Sequence, residues 1–279
     1  MIQAKITNDL SVGDRRPLTL IGGPLLIESE EYTLEMAEAI NVICQHLGVQ
    51  LIFKSSFDKA NRSTVNSSRG LSLQEGMRIL QKVKDTFRIP VLTDIHEPWQ
   101  AEIVAEVVDI IQIPALLCRQ TDLLLAAAAT ELPVSVKKGQ FLAPWDMKNV
   151  VKKLEDGGAT NILTMERGTS FGYGGLVVDF RSLSQMRSLG YPVIFDITNS
   201  LEKLKDADTP QNKLEEQHQS MSHLARAAAA VGCDGFFVEI GKSSEVNSNS
   251  GTNRISVDDL EEFLKPILSI RETLVDRVF

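Results

Sequence analysis

One stretch of the chain concentrates positive charge and hydrogen-bond donors: FKSSFDKANRSTVNSSRG, residues 53–70. Lys54, Lys59, Arg62 and Arg69 stand among Ser55, Ser56, Ser63, Thr64, Ser67 and Ser68, and only Asp58 opposes them. The chain as a whole carries a formal charge of −8. That balance argues against broad nucleic-acid binding, so the local excess is matched to a small anion. Residues 65–69 read as an ordinary solvated loop, whereas Lys54 and Lys59 do not.

Further polar residues appear wherever an apolar run ends. The runs are 18–29, 51–56, 90–95, 109–114, 133–139, 161–168, 192–199 and 235–241. Their last polar residues are Glu28, Lys54, Asp94, Gln112, Lys137, Arg167, Asp196 and Glu239. A buried charge costs several kcal/mol unless paired or hydrogen-bonded, so packing alone does not account for the series. One explanation is an internal lattice of salt bridges among these same residues. The other is a binding site. Lys54, Lys59, Arg62, Lys137 and Arg167 offer more positive charge than one carboxylate needs. They suit one ligand bearing phosphate and carboxylate, or two anionic ligands together. Histidine spacing does not suggest a metal site. His46 falls in an early helix, His218 and His223 lie five apart on a late one, and only His96, in TDIHEP, sits at a strand exit. His96 is either a functional group or a hydrogen-bonding partner of its loop.

The elements that must position these groups alternate. Each run is short and rich in Val, Ile, Leu or Phe, as a strand buried on both faces should be. Between them lie amphipathic stretches such as TLEMAEAINVICQHLG, LSLQEGMRILQKVKDTF, MKNVVKKLEDGG and LEEQHQSMSHLARAAAAVG, several closing on Gly. Eight alternations predict a (β/α)8 TIM barrel, in which the strand C-termini share one rim and carry the site. The rival is an open doubly wound sheet, but no GxGxxG follows an early strand. A single domain over 1–279 is expected, with a short β-hairpin before Leu18, turning at VGDRR, closing the barrel bottom. Hydrophobic content of 43% and charged content of 24% are ordinary for a globular chain. Cys44, Cys118 and Cys233 lack CxxC spacing, the N-terminus lacks a signal-peptide core, and no apolar run approaches the roughly 20 residues that span a bilayer. A reduced, cytoplasmic protein is expected.

Several segments, FKSSFDKANRS, TDIHE, IQIPALLCRQTDLL, VKKGQFLAPWDMKNVV, ERGTSFGYGGLVVDFRSL and VIFDIT, closely resemble the 3-deoxy-D-manno-octulosonate 8-phosphate synthase (2-dehydro-3-deoxyphosphooctonate aldolase) family. The likeness runs from about Ile21 to Thr198 and resumes at 224–239. It implies a (β/α)8 barrel, a cytoplasmic homotetramer, and condensation of phosphoenolpyruvate with arabinose 5-phosphate for lipopolysaccharide synthesis. Residue by residue, Lys137 and Arg167 match phosphoenolpyruvate ligands, and Lys54 and Gln112 match others lining that pocket. Lys59 matches the residue reaching between the two substrates. Arg62 and Ser63 match the pair holding the sugar phosphate, Asn61 the residue facing the sugar chain, and Asp94 a carboxylate deeper in the site.

The departures fall on one side. Metal-dependent members carry Cys after GP, His after DAT or DVT, Glu in the last strand and Asp in the following loop; metal-independent members replace the Cys with Asn. Here those positions hold Leu25, Asn199, Glu239 and Asn249 or Ser250. Leu has no donor atom, and Asn is a weak substitute for an imidazole. No metal and no cofactor is therefore expected. A frequent family His is Asn66, ETHP is replaced by EIGK, and the SGG loop after the seventh strand is replaced by DADTPQNKLEEQ. The phosphoenolpyruvate half of the site is intact and the aldehyde half is rebuilt. The expected catalytic residues are Lys59, Asp94 and Asn199; Lys54, Asn61, Arg62, Ser63, Gln112, Lys137, Arg167 and Glu239 are expected to bind substrate. Two readings remain open: a metal-independent synthase, or a catalytically degenerate relative that binds phosphoenolpyruvate or phosphate, or partners with a true synthase.

Overall fold

The computed structural model describes residues 2–14, 16–59, 69–201, 213–243 and 253–274, with the side chains of 213–217 left aside. Asn61, Arg62, Ser63, Asn66, Asn249, Ser250 and the loop 202–212 lie outside the described residues.

The chain opens with a hairpin, β1 (Gln3–Lys5) against β2 (Ser11–Gly13). Eight parallel strands follow: β3 (Thr19–Gly23), β4 (Gln50–Lys54), β5 (Val91–Asp94), β6 (Ile110–Ile113), β7 (Val134–Lys137), β8 (Ile162–Glu166), β11 (Val193–Asp196) and β12 (Gly235–Gly241). Each pairs with the next, and β12 pairs with both β11 and β3, which closes the ring. Between β8 and β11 a small antiparallel pair, β9 (Thr169–Ser170) and β10 (Leu176–Val177), rises from the rim. A two-residue strand, β13 (Ile255–Ser256), pairs in parallel with the end of β12. The main helices are α1 (Glu30–Leu47), α2 (Leu73–Phe87), α3 (Gln100–Ala105), α4 (Thr121–Ala129), α5 (Met147–Asp156), α6 (Arg181–Arg187), α7 (Ile197–Ser200), α8 (Lys213–Val231) and α9 (Leu260–Glu272). This is the expected (β/α)8 barrel.

Alternation along the strands divides the core in two. Leu20, Leu51, Phe53, Val91, Ile111, Val134 and Phe236 face outward into the layer shared with the helices. Ile21, Ile52, Leu92, Ile110, Leu163, Met165, Ile194 and Phe237 face inward and fill the barrel. Ala4, Ile6 and Val12 of the hairpin join that inner cluster, so the hairpin plugs the bottom as expected. Its turn, however, lies at Ile6–Leu10, where the Ile6 N–H donates to the Leu10 carbonyl, while Val12 and Gly13 of the VGDRR segment belong to β2. Arg187 latches the same end, pairing with Asp14 of the hairpin and with Asp234 ahead of β12.

Two strand ends differ from expectation. The first run stops at Gly23, because Pro24 has no N–H to continue the ladder. A Cβ at Gly23 would also lie 2.2 Å from the Lys54 carbonyl oxygen. Glu28 is therefore no strand-exit residue but an exposed one ahead of α1. The seventh run stops at Asp196, whose carboxylate accepts the Asn199 N–H and so starts α7. Thr198 and Asn199 are thus helical.

Candidate active site

Six of the site's side chains stand two residues beyond an inward apolar one: Lys54 after Ile52, Asp94 after Leu92, Gln112 after Ile110, Arg167 after Met165, Asp196 after Ile194 and Glu239 after Phe237. With a side-chain period of two, all point to the inside of the barrel at its C-terminal rim. They meet in one pocket lined by Lys54, Ser56, Lys59, Asp94, Gln112, Pro114, Ala115, Leu116, Lys137, Arg167, Asn199 and Glu239.

Ion pairs join many of the residues that line the pocket. Lys137 Nζ lies 2.7 Å from Asp196 Oδ2, both groups buried. Asn199 Nδ2 donates to the same carboxylate at 2.9 and 3.1 Å. Lys54 Nζ lies 3.4 Å from Asp94 Oδ1. Ser56 links those two, accepting from Lys54 and donating to Asp94 Oδ1 at 2.5 Å. His96 Nε2 meets Asp94 Oδ2 at 3.1 Å, so His96 braces a pocket carboxylate. Lys59 Nζ is 4.0 Å from Glu239 Oε1, the loosest of the three lysine–carboxylate pairs.

One buried aromatic ring lies against two of these lysines. Lys137 Nζ sits 3.5 Å from the Phe237 ring centroid and Lys54 Nζ 5.8 Å away, close enough for the ring face to attract both ammonium groups.

These contacts leave the site short of negative charge. Burial depresses the Lys137 ammonium; Asp196 opposes this, while Lys54 and Arg167 add to it. Burial likewise lowers Lys59 to about 8, against the pull of Glu239, with Lys54 and Arg254 pushing the same way as burial. Burial alone would raise Asp94, but Lys54, His96 and Ser56 outweigh it and hold the carboxyl well below the usual range. An entering anion would relieve the cations. Gln112 Oε1 is buried with no hydrogen-bond partner among the described residues, so it is available to a donor in the pocket.

Of the expected site residues, Lys54, Lys59, Asp94, Gln112, Lys137, Arg167, Asn199 and Glu239 converge, whereas Asn61, Arg62 and Ser63 lie outside the described residues. Ser56, Asp196 and Phe237 were not among them. Ser56 follows Lys54 by two, and Phe237 precedes Glu239 by two, so the alternation that located their neighbours was the signal for them as well.

Whether a metal fits depends on the donors present. Leu25 is half-buried and offers only carbon, and the Asn199 amide is engaged by Asp196. No group of three His, Cys, Asp or Glu among the described residues is placed to hold an ion. The residues present do not fit the metal site of metal-dependent relatives. The three cysteines are free and buried, and no helix among the described residues is long and apolar enough to cross a membrane.

Comparison with known proteins agrees with these motifs. The 2-dehydro-3-deoxyphosphooctonate aldolase of a Cyanothece species is 57% identical over 274 residues, covering 98% of this chain and 99% of the relative. That of a Synechococcus species is 56% identical over 278 residues, covering 100% and 97%. That of Fusobacterium nucleatum is 49% identical over 258 residues, covering 92% of each. The model of the DAHP synthetase I family matches residues 1–275, and this chain belongs to that family.

Proposed function

We propose that the chain condenses phosphoenolpyruvate with a phosphorylated aldose, arabinose 5-phosphate, to a 3-deoxy-2-keto sugar acid phosphate, without a metal. The observation that carries this reading is the meeting of Lys54, Lys59, Lys137 and Arg167 with Gln112 over one apolar floor. Near-full-length identity to named 2-dehydro-3-deoxyphosphooctonate aldolases supports it.

In the reaction, C3 of phosphoenolpyruvate bonds to the aldehyde carbon, and the aldehyde oxygen takes a proton. Water adds at C2. Loss of phosphate from C2, with the proton of the new hydroxyl, leaves the ketone. Lys137 and Arg167 hold the phosphate and carboxylate of phosphoenolpyruvate, and fixed cations in a buried site stabilise charge far better than water does. Lys59, protonated below about pH 8, is suited to polarise the aldehyde and give its oxygen a proton. Asp94 remains an anion and, with Ser56, accepts from the attacking water. Asn199 fixes Asp196 and through it the Lys137 ammonium. Asn61, Arg62 and Ser63 bind the sugar phosphate, and a cytoplasmic homotetramer serving lipopolysaccharide synthesis belongs to the same reading.

The test is phosphate release from phosphoenolpyruvate with and without arabinose 5-phosphate. Release that needs both substrates is the expected result. Absence of release from protein that binds phosphoenolpyruvate would favour the catalytically silent binder.

A further inference from the structure

Immediately beside the two central anion ligands stands a further, fully buried ion pair that does not line the pocket. Lys138 follows Lys137, and Glu166 precedes Arg167; alternation turns both outward. Their side chains are 0% and 2% exposed, with Lys138 Nζ 3.4 Å from Glu166 Oε1. The ammonium also faces the Gly168 carbonyl at 3.0 Å, Thr169 Oγ1 at 3.1 Å, the Leu142 carbonyl at 3.3 Å and the Gly139 carbonyl at 3.4 Å. Glu166 Oε1 accepts the Gly168 N–H at 2.6 Å.

A buried ion pair is often no better for stability than apolar packing of the same volume. What this pair does is tie the segment after β7 to the segment after β8, beside the backbone bond from the Ser170 N–H to the Gln140 carbonyl at 2.9 Å. Of the tied residues, Gly168 and Thr169 directly follow Arg167, and Gly139 and Leu142 come two and five residues after Lys137. The Lys138 N–H also continues the ladder, donating to Met165 at 2.8 Å.

We infer that Lys138 and Glu166 are positioning residues: they fix the separation of the two strand ends so that Lys137 and Arg167 close on one anion. This rests on the anion-binding reading of the pocket. Neither residue touches the ligand; they act through the backbone that presents the cations. A small misplacement of binding groups is costly because charge-assisted contacts are directional.

The double variant Lys138→Met/Glu166→Gln removes both charges, keeps similar volume and retains an acceptor for the Gly168 N–H. Calorimetric titration with phosphoenolpyruvate and thermal unfolding are measured together. The expected result is a midpoint lowered by only a few degrees and a phosphoenolpyruvate Kd raised about tenfold. Glu166→Gln alone is expected to raise it about threefold, and it decides the matter should the double variant fail to fold. Arg187→Met, which breaks the latch at the opposite end of the barrel, should lower the midpoint and leave the Kd unchanged. Wild-type affinity in the Lys138 and Glu166 variants, or equal weakening by Arg187→Met, would overturn the inference. Failure of the unaltered protein to bind phosphoenolpyruvate would overturn the functional reading itself, and this inference with it.

Discussion

Two of the pocket's three lysine–carboxylate pairs differ in almost everything but composition. Lys137 and Asp196 are locked at 2.7 Å over the Phe237 ring, with Asn199 completing the carboxylate's hydrogen bonds. Lys59 and Glu239 stand 4.0 Å apart, and the Lys59 side chain is 18% exposed. The first pair is built into the barrel wall, its groups ending strands β7 and β11. In the second, only Glu239 is on a strand, and Lys59 comes from the loop after β4. A rigid cation fits a ligand whose shape does not change, whereas a loosely paired one can follow a reacting atom and exchange its proton. Asn199, one of the altered positions, contacts the tight pair, donating to Asp196.

The largest effect that would break this comparison is on stability. Lys137→Met leaves Asp196 buried without its ammonium partner, which should destabilise the fold by about 3 kcal/mol, since Asn199 still donates to it. Urea unfolding measures this, and an unchanged midpoint would mean that the pair is not locked. Lys59→Met, by contrast, should cost far less, because Lys59 and Glu239 stand 4.0 Å apart and are only weakly coupled.

Next comes ligand affinity. Arg167→Ala removes a charge-assisted contact worth about 2–3 kcal/mol, or some 30- to 100-fold in phosphoenolpyruvate Kd. Titration of the variant reads this directly, and a change below threefold would remove Arg167 from the anion site.

The loose pair should then show itself in the pH profile. Lys59 loses its proton as pH rises through about 8, so kcat/KM, which reports the free enzyme, should fall several-fold above that pH. A bound anion favours the charged lysine, so the corresponding limb in kcat should lie higher. Lys59→Arg should abolish the alkaline limb, because guanidinium stays charged throughout. The sign for stability is opposite: with the folded pKa below the unfolded one, the Lys59 contribution becomes more favourable as pH rises from about 8 towards the ordinary lysine value.

The smallest expected effect is none. Prolonged chelation should leave activity unchanged, because the donors at Leu25, Asn199 and Glu239 do not make a tight ion site. Stoichiometric zinc or iron whose removal abolishes turnover would contradict this.

Much of the site was readable because the strands are buried on both faces. A polar residue two places after an inward Ile, Leu or Met has few explanations other than a pocket, and Lys54, Asp94 and Gln112 follow that rule. Glu28 misled because the apolar run continues past Pro24 in sequence while the ladder cannot. The run 192–199 predicts strand through Asn199 because Ile197 and Thr198 favour β structure, yet the Asp196 cap outweighs their preference. Phe237 and the Lys138–Glu166 pair were not singled out. Adjacent residues such as Lys137 and Lys138 differ only in the face they occupy, and that depends on register with neighbouring strands rather than on residue type.

The division of the pocket into an intact anion half and a rebuilt aldehyde half is tested most directly by calorimetry on the unaltered protein, with phosphoenolpyruvate and arabinose 5-phosphate titrated separately. Phosphoenolpyruvate should bind through Lys137 and Arg167, and arabinose 5-phosphate more weakly. Tight arabinose 5-phosphate binding with no detectable phosphoenolpyruvate binding would contradict the account and leave the cations of the barrel rim without their assigned ligand.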